Sequence, residues 1–150
     1  MKLAQALNLR ADIQNRMSEL ENRLAANAKT QEGIEPAEDP VKLFREYEGC
    51  AVQLEELIAM INRVNNATVV NGMTLTELLA KRDCLKLRVM NYQRFLREAS
   101  AIGTRSTHSE IRILSTVSVS DYRKILDDCA AKLREVDGLI QEANWLTECE

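Results

Sequence analysis

Four stretches of the chain place apolar residues in alternating steps of three and four. The first two rows are Ala6, Arg10, Ile13, Met17, Leu20, Leu24, Asn27 and Phe44, Tyr47, Ala51, Leu54, Ile58, Ile61, Asn65. The other two are Leu75, Leu78, Arg82, Leu85, Val89, Tyr92, Leu96, Ala99 and Tyr122, Leu126, Cys129, Leu133, Val136, Ile140, Ala143, Thr147. This spacing keeps one face of a helix turned toward a neighbouring helix. The pattern predicts four mutually packed helices, over about residues 2–29, 40–65, 75–102 and 119–147.

Residues that start or stop helices lie at the ends of these stretches. Asp39 is placed to cap the second helix, and Pro40 fits its first turn. Thr74 and Glu77 have the spacing of a capping box at the start of the third helix. Gly103 can take the left-handed conformation that ends a helix.

Two short segments have β character. Residues 68–73 set β-branched side chains beside the Asn71–Gly72 dipeptide, which is a strong hairpin signal. Residues 110–117 alternate apolar and polar side chains. We expect these segments to pair with each other or with copies from another subunit. The prediction is one mainly α domain over residues 1–150, a bundle of four long helices with a small β-hairpin or two-stranded element.

Composition and charge exclude several classes of partner. The net charge is −3, so no overall positive field attracts the chain to nucleic acid. Arg10 and Asp12 interrupt the N-terminal apolar run before a signal-peptide core can form. No apolar run approaches the roughly 20 residues that span a bilayer. We therefore expect a cytoplasmic protein with no nucleic-acid or membrane partner.

No group of residues in the sequence predicts a metal site or a catalytic centre. Cys50, Cys84, Cys129 and Cys149 lie far apart without a CxxC pair, so we interpret them as reduced core residues. His108 is the only histidine, which excludes a ferritin-like di-iron site. The acidic linker before the second helix contains prolines that prevent a regular ligand spacing. We predict no catalytic residue, no metal and no cofactor, and the balance favours a protein that is not an enzyme.

Polar residues interrupt the apolar rows, and these are the candidate site residues. Arg10, Asn27, Asn65 and Arg82 lie in the rows, and Asn62, Asp83, Asp137 and Asn144 lie close by. A buried arginine is costly unless it is paired, so Arg10 and Arg82 should each meet a carboxylate or several carbonyls. The favoured interpretation is a buried polar network that sets helix register, and the alternative is an anion pocket between helices.

Several short motifs together resemble a known family. They are Lys2-Leu3-Ala4, Leu9-Arg10-Ala11-Asp12, Asn27-Ala28, Gln31-Glu32-Gly33, Pro36, Ile61-Asn62-Arg63, Asn65, Gly72-Met73-Thr74-Leu75, Arg82-Asp83, Ser109-Glu110-Ile111, Ile140-Gln141 and Asn144-Trp145. The chain resembles, over nearly its whole length, the small bacterial proteins labelled septicolysin. The resemblance implies long helices with a little β structure, and the label implies a pore-forming cytolysin. It implies no catalytic residues.

The wide apolar helix faces predict self-association. They offer more surface than one small bundle needs to cover, and Trp145 is a candidate interface residue because tryptophan is enriched at interfaces. We therefore predict a homo-oligomeric structural or interaction protein whose partner is a second copy of itself. The alternatives are a membrane-active cytolysin and a helical enzyme that binds an anion or a metal. The sequence identifies no small-molecule ligand.

Overall fold

The helices begin and end close to the predicted residues. A computed structural model describes residues 1–101 and 112–149. In these ranges α1 is Leu3–Ala26, α2 is Pro40–Ala67, α3 is Leu75–Ser100 and α4 is Val119–Leu146. The prediction of a mainly α protein with four long helices is confirmed. The proposed stop at Gly103 lies outside the described residues.

Predicted caps explain where two helices begin. The side chain of Asp39 accepts a hydrogen bond from the backbone N–H of Val41, and Pro40 occupies the first position of α2. Thr74 and Glu77 form the reciprocal capping box of α3. Both predicted caps are confirmed. These caps satisfy backbone N–H groups that have no partner within the helix.

The β element is a hairpin between α2 and α3. Its strands are β1, Val69–Val70, and β2, Met73–Thr74, which pair with each other. The turn contains Asn71 at φ 51° and Gly72 at φ 81°, the pair of positive φ angles that a tight hairpin requires. The hairpin prediction is confirmed.

The second β segment that we expected is not a strand where it is described. Residues 112–118 are irregular, and residues 110–111 lie outside the described residues. The strands of the hairpin pair with each other, and this sheet has no third strand within residues 1–101 and 112–149. Alternating polarity over a few residues is a weak strand signal, because the pairing that would stabilise it has to come from elsewhere in the fold.

The chain divides into two compact units. The first contains Met1–Val69 and Ala143–Glu150, and the second contains Val70–Glu142. In the first unit α1 and α2 pack as an antiparallel pair. Early α1 residues, Leu9 and Ile13, line a groove with late α2 residues such as Met60. Leu24, near the end of α1, lies beside Phe44, near the start of α2.

Each unit has a core built from its apolar rows. In the first unit the buried side chains come mostly from α1 and α2, and they include Leu3, Ala6, Ile13, Leu20, Leu43, Cys50, Leu57 and Ile61. In the second unit they come from α3 and α4, and they include Leu75, Leu78, Leu85, Leu96, Cys129, Val136 and Ile140. The rings of Phe95 on α3 and Tyr122 on α4 lie 5.8 Å apart in a tilted arrangement.

Candidate functional site

Arg82 and Asp83 are neighbours in sequence and form an ion pair on α3. The Nε and Nη2 atoms of Arg82 donate to one carboxylate oxygen of Asp83 at 3.0 and 2.9 Å. The Arg82 side chain is mostly covered, whereas the Asp83 side chain is 63% exposed. Arg82 therefore meets the carboxylate that a partly buried guanidinium needs, and the carboxylate stays open to solvent.

Arg10, unlike Arg82, has a buried guanidinium nitrogen without a partner in the described chain. It is half-buried on α1, and its Nε atom is enclosed without a hydrogen-bond partner among residues 1–101 and 112–149. Beside it, Leu9 and Ile13 line an apolar groove of about 300 Å³. A buried donor that lacks a partner carries a desolvation cost. Arg10 is thus a polar group in the first unit whose pairing is incomplete within the described chain.

The remaining candidate side chains do not form one cluster with Arg10. In the first unit Asn62 is exposed, Asn65 is half-buried and Asn144 is buried. No hydrogen bond between described residues joins these three to one another or to Arg10. In the second unit Asp137 is half-buried. These polar residues therefore do not form a single buried network among the described residues.

Asn27, one of the polar residues that interrupt the apolar rows, makes two side-chain hydrogen bonds. It is buried at the end of α1, where its amide nitrogen donates to the carbonyl oxygen of Arg23 at 2.9 Å. Its amide oxygen accepts from the backbone N–H of Glu38 at 2.9 Å. Its place as the last, polar member of the first apolar row fits this role, because short amide side chains often end helices.

Ion pairs on the outside of the first unit join α1 to α2 and to the linker before it. Arg16 pairs with Glu46 at 2.7 Å, and Arg23 pairs with Glu38. The hydrogen bond from Arg23 lowers the pKa of Glu38 below its usual value. Exposed pairs of this kind contribute little stability each, so their main effect is to favour one alignment of the two helices.

The two ends of the chain are joined in the first unit. Lys2 and Glu148 form an antiparallel β-bridge, and the Lys2 ammonium lies 2.7 Å from the Glu148 carboxylate. The backbone N–H of Leu3 also donates to the carbonyl oxygen of Thr147 at 2.9 Å. Two cations, Lys2 and the N-terminal ammonium, lower the pKa of Glu148. Periodicity along a helix cannot predict a contact between residues about 145 positions apart in sequence.

Large apolar side chains lie on the surface of both units. On α3 the exposed fractions are 67% for Leu87 and 65% for Met90. At the end of α4 Trp145 is 59% exposed and Leu146 is 67% exposed. In the first unit Val41 and Phe44 line an open apolar groove of about 680 Å³. Exposed apolar surface of this kind is typical of interaction sites.

A pocket that contains two arginines lies in the second unit where α3 ends and α4 begins. It has a volume of about 330 Å³, and its lining includes Gln93, Ser100, Arg97 and Arg123. Neither guanidinium has an ion pair or a hydrogen bond with a residue in 1–101 or 112–149. The pocket thus combines two guanidiniums that have no acidic partner in the described part of the chain with the neutral hydrogen-bonding side chains of Gln93 and Ser100, beside the apolar Leu96 and Leu126.

Within residues 1–101 and 112–149 no three His, Cys, Asp or Glu side chains are grouped so that they could hold a metal ion. No helix in the same ranges is both long enough and apolar enough to cross a membrane.

Together, the fold and surface define a mainly α protein with exposed apolar helix faces. Residues 10–149 match a family described as a family of unknown function, DUF6847, and the chain belongs to that family. A crystal structure of a functionally unknown conserved protein from Corynebacterium diphtheriae is similar over 100% of this chain and 99% of the other, with 36% identity and a TM-score of 0.93. A comparison with curated proteins gives no match. Neither description mentions septicolysin or pore formation.

Proposed function

We propose that the protein acts in the cytoplasm as a homo-oligomeric structural or interaction module. The observation that supports this most directly is the outer face of α3. Leu87 and Met90 are each about two-thirds exposed, whereas Leu85 on the opposite face of the same helix is 4% exposed. A helix that is apolar on two opposite faces has a second face to bury, and a second copy of the chain is the partner available to every molecule.

The strength of such an association can be estimated from the side chains. Complete burial of a Leu or Met side chain contributes about 1.5–3 kcal/mol. Two such side chains on each copy, already about one-third covered, would contribute roughly 4–8 kcal/mol. Association costs about 4–15 kcal/mol in lost translational and rotational freedom. The apolar side chains of α3 therefore at best offset this cost by a few kcal/mol, so association at micromolar protein needs further contacts, such as those of Trp145 and Leu146.

Light scattering coupled to gel filtration tests the proposal. We expect a mass above 17.0 kDa at micromolar protein and a concentration-dependent shift toward the monomer. Leu87→Glu should shift the equilibrium strongly to monomer. Asn22→Glu, the same change of charge at an exposed position on α1, should leave the mass unchanged. A wild-type chain that stays monomeric at high micromolar concentration would exclude the proposal.

Trp145 is a second proposed contact. It lies beside Leu146, and both side chains are more than half exposed in the single chain. Because Trp145 is the only tryptophan, its fluorescence reports on this position alone. We expect its emission to shift to shorter wavelength as the protein associates. An emission maximum that does not change between monomer and oligomer would place Trp145 outside the contact.

The cytoplasmic location is supported by the cysteines. Cys50, Cys84, Cys129 and Cys149 are all free thiols. Unpaired cysteines are typical of proteins from reducing compartments, since oxidising ones favour disulfides. Fractionation of the producing cells should recover the protein in the cytosol. Its recovery from the medium or from membranes would contradict this location.

Anion binding is a second candidate function, and the pocket between Arg97 and Arg123 favours it. Two guanidiniums beside Gln93 and Ser100 offer paired donors to an oxyanion. Phenyl phosphate titrated by calorimetry should bind the wild-type protein and bind Arg97→Gln or Arg123→Gln about tenfold more weakly. Arg134→Gln, a change at an exposed arginine of α4 outside the pocket, is the matched control. Equal affinity in all four proteins would exclude a site at this pocket.

A further inference from the structure

The outer face of α3 carries an ordered row of four residues. Asp83, Leu87, Met90 and Arg94 follow one another in steps of four, three and four, so they form one stripe along the helix. All four are exposed, the apolar pair in the middle included. The stripe therefore has an acid at one end, two apolar residues at its centre and a base at the other end. We call it the α3 stripe.

The α3 stripe is complementary to a reversed copy of itself. When two α3 helices lie antiparallel, with a twofold axis between residues 88 and 89, Leu87 faces Met90 of the second copy. In the same register Asp83 faces Arg94 of the second copy. The steps of four and three are those of a coiled-coil seam, in which such residues pack against each other. A twofold axis repeats every contact, so two apolar pairs and two ion pairs form together.

We propose that two copies of this chain associate through antiparallel pairing of their α3 stripes. This inference rests on the self-association proposed above and specifies the surface and register. The charges of Asp83 and Arg94 are both available to pair with a second copy. Arg94 has no acidic partner in the described parts of the chain, and the side chain of Asp83 is 63% exposed beside Arg82. The orientation follows from charge, because parallel pairing would place Asp83 on Asp83 and Arg94 on Arg94.

Charge reversal tests the register. D83R gives a stripe with a base at both ends, and R94D gives one with an acid at both ends. In a homodimer each change replaces two attractive pairs by two repulsive ones, so we expect the dimer dissociation constant of either variant to rise about tenfold or more. The double variant D83R/R94D restores both attractions with reversed sign and should recover affinity to within about threefold.

Mixing the two single variants gives the sharpest measurement. An equimolar mixture of D83R and R94D pairs unlike charges at both ends, so a heterodimer should form where each variant alone is largely monomeric. Differently tagged chains analysed by native mass spectrometry distinguish heterodimer from homodimer. Asp127→Arg and Arg134→Asp, reversals at exposed positions on α4, are the matched controls and should show no preference for mixed pairs.

The outcomes separate the two proposals. If the wild-type chain is monomeric, self-association and the α3 pairing both fail. If it is oligomeric and neither reversal changes the dissociation constant, self-association stands and the α3 pairing is wrong. If both reversals weaken association but the mixture forms no heterodimer, the charges act through some other surface, which also overturns the antiparallel register.

Discussion

The side-chain oxygen of Asn27 accepts a hydrogen bond of 2.9 Å from the backbone N–H of Glu38. The amide nitrogen of the same Asn27 donates to the carbonyl oxygen of Arg23. One buried side chain thus satisfies an N–H in the linker that leads to α2, and it adds a second hydrogen bond to a carbonyl at the end of α1 that already accepts the backbone N–H of Asn27. Backbone groups at a helix end lack partners within the helix, so this side chain has a direct stabilising role.

Replacement of Asn27 by alanine should destabilise the protein. The backbone N–H of Glu38 loses its partner in a partly buried place, while the carbonyl of Arg23 keeps the backbone N–H of residue 27. We expect the free energy of unfolding to fall by about 1–3 kcal/mol. Asn22→Ala removes the same side chain at an exposed position of α1 and should change it by less than about 0.5 kcal/mol. Urea denaturation measures both. Equal effects of the two substitutions would mean that the hydrogen bonds of Asn27 contribute nothing.

Stability should fall in acid because three carboxylates are held by hydrogen bonds. The pKa of Glu38 is lowered by Arg23, that of Glu77 by the backbone and hydroxyl of Thr74, and that of Glu148 by Lys2. A lowered pKa in the folded state contributes stability that is fully present above the unfolded value, about 4.5. That stability is lost as the pH falls through the lower folded value.

Glu38→Gln isolates one of these contributions. The variant should be less stable than wild type near about pH 7. The free energies of unfolding of the two proteins should become equal as the pH falls well below 4.5. Glu55→Gln, at an exposed position of α2, is the control, and its free energy of unfolding should depend on pH in the same way as that of wild type. Chemical denaturation at a series of pH values gives the curves. A constant gap between Glu38→Gln and wild type down to low pH would contradict the prediction.

The two glycines Gly72 and Gly49 should respond oppositely to substitution. Gly72 has φ 81° in the hairpin turn, so a β-branched side chain there is strained although an added Cβ would meet nothing within 4 Å. Gly72→Val should destabilise the protein by about 1–2 kcal/mol.

Gly49 lies inside α2, where an added Cβ would also meet nothing within 4 Å. Gly49→Ala should therefore stabilise the protein by about 0.4–1 kcal/mol. Thermal denaturation of both variants tests whether the first loses stability and the second gains it.

One thiol should react much faster than the others. Cys84 is exposed on α3, whereas Cys50, Cys129 and Cys149 are buried. Burial also raises the pKa of the Cys149 thiol, which reduces its reactive thiolate. In native protein a chromogenic disulfide reagent should show one fast phase that corresponds to one cysteine and is lost in Cys84→Ser. A fast phase that survives this substitution would show that a buried thiol reacts.

Helices, caps and the hairpin could be predicted because each depends on nearby residues. The rows of apolar residues predicted four helices to within three residues at the boundaries that the structure describes, and Asp39, Thr74 and Glu77 cap α2 and α3 as expected. Asn71 and Gly72 predicted the turn. In each case the cause is a backbone preference or a hydrogen bond that spans only a few residues.

The candidate site was harder to predict, because periodicity identifies a face but not what covers it. Arg82 pairs with the adjacent Asp83, while Nε of Arg10 is enclosed without a partner in the described chain, although both arginines interrupt apolar rows. Asn27 and Asn65 occupy equivalent ends of their rows, yet only Asn27 is buried. The difference lies in the linker, whose Glu38 N–H reaches Asn27.

The sequence by itself determined that this is a mainly α protein with four long helices and a hairpin, since those follow from 3.6-residue periodicity and local turn chemistry. Only the tertiary structure decided that Lys2 meets Glu148 and that Leu87 and Met90 stay exposed while Leu85 is buried. Such facts depend on which segments the folded chain brings together. Apolar residues on both sides of a helix look alike in sequence, and only the packed structure shows which side remains available for a partner.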